Sequence, residues 1–201
     1  MNLTPWSLDP RASVRAVVIG ASAGGLEALL SIFVGLPAAL GPPIVVVLHL
    51  PQDCPSLLPD ILGYRLSMRV REAMDKQPLE PSTVYIAPPG YHLSIETDHT
   101  FSLSGECPVN HSRPAIDVLM NSAADAYGPG LVGILLTGAS HDGAAGLASI
   151  KAKGGWTMVQ DPRQAQSATM PEAAIRRQMP DQILSLADIH AWLLKLGNAA
   201  S

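Results

Sequence analysis

A chain of 201 residues has the length for one domain with a core covered on two faces. Hydrophobic residues make up 47% and charged residues 15%, which excludes disorder over most of it. A net charge of −4 excludes a sequence-independent grip on nucleic acid, because that needs a basic surface.

Residues 1–13 are polar and broken by proline, so they read as a flexible lead-in without the apolar stretch of a secretion signal. Residues 14–19 form an apolar run interrupted only by Arg15, the pattern of a strand covered on both faces. Residues 24–36 read as a helix ended by Gly35 and Pro37. A second buried strand follows over 44–48, entered through Pro42-Pro43 and closed by His49-Leu50-Pro51. A helix is expected over 56–66 with Ser56 as its cap, then a short alternating strand over 68–73.

The middle of the chain changes texture. Runs 83–87, 93–96 and 100–103 are separated by Pro88-Pro89-Gly90 and Thr97-Asp98, which suggests an antiparallel excursion. Residues 109–113 read as a polar surface loop, with Ser112 placed to cap a helix that begins near Pro114 and runs to Tyr127. Residues 131–136 are a fully apolar strand, followed by a small-residue helix to about Lys153 and a strand over 156–159. Helices over 171–177 and 188–196 complete the order. The rhythm predicts an α/β fold: a doubly wound, mostly parallel Rossmann-like sheet with a short antiparallel excursion in the middle. One domain over 14–196 is expected, with 197–201 as a C-terminal tail.

The longest apolar runs are too short for a bilayer, so no membrane insertion is expected and the protein reads as cytoplasmic. Cys54 and Cys107 belong to no CxxC pair and read as two reduced thiols. His92, His99 and His111 lack metal-ligand spacing and read as surface histidines, so no metal is expected.

Chemistry gathers at the carboxyl ends of parallel strands. The stretch Val17-Val18-Ile19-Gly20-Ala21-Ser22-Ala23-Gly24-Gly25 is a strand feeding a tight turn into a helix. Gly20-x-Ser22-x-Gly24 matches a nucleophile elbow, while Gly20 and Gly25 match the outer glycines of a dinucleotide fingerprint. The dinucleotide reading demands an acidic residue at the end of the second strand, where His49 stands instead, so no cofactor is expected. The α/β-hydrolase order would be satisfied by Ser22, Asp142 and His190. Only about 20 residues precede Ser22, however, too few for the strands that architecture places before its elbow.

Ser22, His49 and Asp142 fall at three strand ends. Each taken alone has a bland reading: a turn serine, a core histidine, a capping aspartate. Together they supply what a serine nucleophile requires, a base for its proton and a carboxylate to orient the imidazole. The helix after Ser22 adds backbone N–H groups for an oxyanion, with that of Ala23 best placed. His141 adjoins Asp142 and is a further candidate to line the site.

Several runs resemble the catalytic domain of the bacterial chemotaxis methylesterase family, commonly called CheB. They are Gly20-Ala21-Ser22-Ala23-Gly24-Gly25, His49-Leu50-Pro51, Ile86-Ala87-Pro88-Pro89-Gly90-Tyr91-His92, Arg113-Pro114-Ala115-Ile116-Asp117-Val118-Leu119, and Leu136-Thr137-Gly138 through Asp142-Gly143-Ala144-Ala145-Gly146. The resemblance implies a protein-glutamate methylesterase with Ser22 as nucleophile, His49 as general base and acid, and Asp142 as the carboxylate. Its substrate would be glutamyl methyl esters on the cytoplasmic domain of methyl-accepting chemoreceptors, with glutamine deamidation as a further activity. Ala23 stands where the family usually has Thr, and Ala139 where it usually has Met; backbone N–H groups of both are the oxyanion donors the resemblance implies. Typical members also carry an N-terminal receiver domain that does not fit before Val14. Control would then fall to a separate response-regulator or other signalling partner, or the activity would be constitutive. The competing reading is a catalytically silent receptor-binding module of the same fold.

Overall fold

A computed structural model describes residues 14–49 and 57–199. In chain order the elements are β1 (Ala16–Ala21), α1 (Gly25–Phe33), β2 (Ile44–Leu48), α2 (Leu58–Arg65), β3 (Arg69–Glu72), β4 (Thr83–Ile86), β5 (His92–Ile95) and β6 (Phe101–Ser104). They continue with α3 (Ile116–Tyr127), β7 (Leu131–Leu135), α4 (Ala144–Ala152), β8 (Trp156–Gln160), α5 (Thr169–Arg177), β9 (Gln182–Leu184) and α6 (Leu186–Ala199). Seven strands make one parallel sheet in the order β3-β4-β2-β1-β7-β8-β9. From β1 the chain adds β2, then the edge strand β3, then β4 between those two, before it restarts at β7 on the other side of β1 and winds outward to β9. The switch point therefore lies between β1 and β7, where such sheets open a crevice at their carboxyl ends.

The β-branched runs form the centre because both of their faces are covered. Val17, Ile19, Ile44 and Val46 pack with Leu29, Ile32 and Phe33 of α1 and Trp192 and Leu193 of α6. Val18, Val45 and Val47 face the other way, onto Ile116, Leu119 and Met120 of α3, Leu147 of α4 and Met170 of α5. Gly20 lies where the sheet meets that second layer: a Cβ there would collide with Ile116 Cγ2.

The doubly wound parallel sheet matches the sequence expectation, with two corrections. Residues 83–86 do not belong to the antiparallel excursion. They form β4, fully buried and parallel to both β2 and β3. Short proline-bounded runs imitate hairpin spacing, and only burial on both faces distinguishes a parallel strand from them. The excursion is the β5–β6 hairpin alone, joined to the core where Phe101 packs edge-on against Tyr85 at 4.9 Å. The other correction is β9, a three-residue edge strand of mixed polarity beside β8 that the pattern does not announce.

Element ends also move. β1 begins at Ala16 and continues through Ala21, because Ala21 pairs with Leu48 and Gly20 with Leu135. α2 starts at Leu58 with Leu57 as its cap residue, while the expected cap Ser56 lies outside the described residues, as do the lead-in 1–13 and Cys54. α6 runs to Ala199, past the expected end at Leu196. No helix among the described residues is long and apolar enough to cross a membrane.

Candidate active site

Ser22 follows the last residue of β1, at the switch point. Its N–H donates to Thr137 O at 2.9 Å, tying the turn to the end of β7. Its carbonyl accepts from Gly25 N–H at 2.7 Å, closing the turn. Gly24 then enters α1 at φ 75°, in the left-handed region that glycine adopts without a Cβ penalty, and no side chain caps the helix. Thr137 Oγ1 donates to Ala23 O at 2.9 Å and accepts from Ser167 N–H at 2.9 Å. One hydroxyl thus knits the Ser22 turn, the end of β7 and the segment before α5.

Asp142 is fully buried and accepts five hydrogen bonds. Oδ2 takes His49 Nε2 at 2.9 Å and the Ile116 N–H at 2.6 Å. Oδ1 takes the N–H groups of Asp117 at 3.0 Å and Gly143 at 3.0 Å, with Asn110 Nδ2 at 3.1 Å. Burial pushes this carboxyl up, but His49, the Ile116 and Asp117 amides and Asn110 together outweigh it and hold Asp142 below the usual carboxylate range. An ionised carboxylate only accepts, so Nε2 of His49 carries the proton and a neutral ring keeps its lone pair on Nδ1. Ser112 Oγ lies 3.5 Å from that Nδ1, at the limit of a hydrogen bond.

These contacts correct the expectation for Ser112. The residue that enters α3 is Ala115, which has no capping side chain. The amides at the start of the helix are met instead by Asp142, from 26 residues downstream. Serine before Arg-Pro looks like a local cap; a carboxylate arriving from across the sheet takes the position, and Ser112 turns toward His49.

Ser22 and His49 stand on neighbouring strand ends. Ala21 pairs with Leu48, and His49 N–H donates to Ala21 O at 3.1 Å. Among the described residues no hydrogen bond joins Ser22 Oγ to the imidazole. Ala23 and Ala139 are both exposed, Ala23 in the Ser22 turn and Ala139 in the loop between β7 and α4. His141 is exposed as well. With Asn110, Asp117, Arg176 and Arg177 it lines a cavity of about 460 Å³ beside the buried carboxylates.

Other histidines lie elsewhere. His190 sits on α6, its Nδ1 3.0 Å from Ile32 O, which fastens that helix to α1. His92 is buried, contrary to the surface expectation: its ring bonds Cys107 O and the Ala115 N–H. His99 stacks on Tyr127 at 4.4 Å. Cys107 is an exposed free thiol. No group of three or more His, Cys, Asp or Glu among the described residues could hold a metal ion.

Two further residues shape the site without a signal that the sequence made plain. Asp117, buried on α3, accepts from Gly146 N–H at 2.7 Å and Asn110 Nδ2 at 2.8 Å. Burial pushes its carboxyl up, as does the charge of Asp142, against the pull of those donors. Asn110 reaches both carboxylates from a loop whose polarity marks it only as surface. An aspartate in the first turn of a helix is visible in the sequence, but there it reads as an ordinary complement to the helix dipole.

The sequence model of the CheB methylesterase family matches residues 17–193. A protein of Leptospira interrogans is 44% identical over 182 residues, covering 90% of this chain and 94% of its own length. A protein-glutamate methylesterase/protein-glutamine glutaminase of Bordetella parapertussis is 37% identical over 92% of this chain and 54% of its own. Among solved structures, the CheB methylesterase catalytic domain of Thermotoga maritima superposes with a TM-score of 0.87 at 33% identity, covering 92% of this chain and 99% of that one.

Proposed function

The chain belongs to the CheB methylesterase family, and on that premise we propose that it hydrolyses glutamyl methyl esters on the cytoplasmic domain of chemoreceptors, releasing methanol. The observation that carries this reading is the His49–Asp142 pair at the carboxyl edge of the sheet, with His49 on the strand next to that of Ser22. The proposed triad is Ser22, His49 and Asp142.

Ser22 Oγ attacks the ester carbonyl while Nδ1 of His49 takes the hydroxyl proton. Asp142 holds the Nε2–H and stabilises the imidazolium. Negative charge on the former carbonyl oxygen falls to the backbone N–H groups of Ala23 and Ala139. Collapse of this tetrahedral state breaks the bond to the methoxy oxygen, which leaves as methanol with the proton from His49. Water then attacks the acyl-enzyme, His49 takes its proton, and a second collapse frees the glutamate and returns the proton to Ser22. With a glutamine side chain the same steps release ammonia.

Ser22→Ala tests it. Methanol release from a methylated receptor should fall by about 10³-fold or more with the fold intact. Turnover unchanged in that variant removes Ser22 from the mechanism. Receptor capture by the wild-type chain without methanol release identifies a binding module instead.

A further inference from the structure

Residues 109–112 form a tight hairpin turn whose ends exchange both backbone hydrogen bonds, Val109 N–H to Ser112 O at 3.1 Å and Ser112 N–H to Val109 O at 2.9 Å. Its two central residues, Asn110 at φ 51° and His111 at φ 62°, are both left-handed, a conformation asparagine tolerates better than most residues. This turn touches both members of the pair at the centre of the site. Ser112 Oγ stands 3.5 Å from His49 Nδ1. Asn110 Nδ2 donates to Asp142 Oδ1 at 3.1 Å and to Asp117 Oδ2 at 2.8 Å.

Two carboxylates packed this close repel one another, and a neutral amide with two hydrogens is shaped to sit between them. The bond from Asn110 falls on the oxygen of Asp142 that does not face His49. It therefore limits rotation of the carboxylate and keeps Oδ2 on the imidazole. We propose that Asn110 is a positioning residue for the reaction: by pinning Asp142 against rotation it holds His49 with Nδ1 free to act as base. This rests on the methylesterase reading above. The titratable and charged groups around the pair are His49 at the end of β2 and Asp117 on α3, with His141, Arg176 and Arg177 across the adjoining cavity.

The test separates the amide from the turn. Asn110→Gly removes the donor and keeps a residue at ease with positive φ, so the hairpin survives. Asn110→Asp keeps size and left-handed tolerance but turns the donor into an acceptor beside two carboxylates. With methanol release from methylated receptor as the assay, Asn110→Gly should lower kcat about 10-fold, the lower end of the loss when the partner that orients a metal-ligating side chain is removed. KM should stay within about 2-fold, as expected when the lost interaction acts on the transition state. The acid limb of its pH–rate profile should move to lower pH, because a carboxylate free to turn away from the ring stabilises the imidazolium less. Asn110→Asp should lose more. In proton NMR, the His49 N–H held by Asp142 should exchange with water faster in both variants than in wild type.

Wild-type kcat and acid limb in Asn110→Gly would overturn the proposal. So would a loss of kcat with the acid limb and the N–H exchange unmoved, since that marks a merely structural turn. If the wild-type chain releases no methanol, the functional reading fails, and the N–H exchange still decides whether Asn110 holds the pair.

Discussion

The Ser22 turn and the Asp142 corner lie at the same edge of the sheet and are built by different means. Ser22 is placed by backbone bonds to Thr137 and Gly25 and by close approach: a Cβ at Gly138 would strike Met170 and meet Ser22 Cβ at 3.0 Å. Its hydroxyl takes part in none of these contacts. Asp142 is placed by its side chain, which gathers donors from the end of β2, the 109–112 turn, the start of α3 and its own loop. Removing the functional group should therefore be cheap for the fold in the first region and costly in the second.

The largest expected effect is at the corner. Asp142→Ala removes the acceptor of five hydrogen bonds, three of them from buried backbone amides, which should cost about 3 kcal/mol or more in urea unfolding. Ser22→Ala should stay within about 0.5 kcal/mol of wild type in the same measurement. Equal losses would erase the contrast.

Gly138→Ala sharpens it from the other side. The added methyl would press on the Met170 side chain and on Ser22 Cβ, so the variant should lose about 1–3 kcal/mol by overpacking, measured again by urea unfolding. A variant as stable as wild type would show that the turn is looser than its contacts indicate.

The smallest effect is in pH dependence. Asp142 is held below its ordinary value, so its contribution to stability is fully present above the unfolded-state value of about 4 and is lost as pH falls through the lower folded value. Asp117, raised by burial and by Asp142, works in the opposite sense as pH rises. Asp142→Asn should accordingly show a shallower loss of stability below about pH 4 than wild type, read from denaturation midpoints across that range. An unchanged slope would mean that the acid sensitivity arises elsewhere.

The same contrast explains what was legible in the sequence. β2 could be bounded to the residue, because five apolar positions run between Pro43 and His49 and both faces are covered. The Ser22 turn was legible because backbone geometry demands small residues in a fixed short pattern, and Ala-Ser-Ala-Gly-Gly after an apolar strand supplies them. His49 and Asp142 could be placed at strand ends by the strand rhythm alone. The corner's remaining parts could not. Asn110 and Ser112 lie in a polar loop, and what makes them part of the site is proximity to residues 32 and 63 positions away in the chain. β4 was misplaced for a similar reason: its partners β2 and β3, which decide its direction, are not adjacent to it in any pattern that four residues can show.

The amides of Ile116 and Asp117 and the imidazole of His49 depend on one carboxylate. Fraying of the first turn of α3 removes two of the donors that fix the carboxylate on which the His49 ring rests, so the helix end and the ring are energetically coupled. Anything that grips or loosens the start of α3 from outside would change the site's occupancy of its working geometry without touching Ser22.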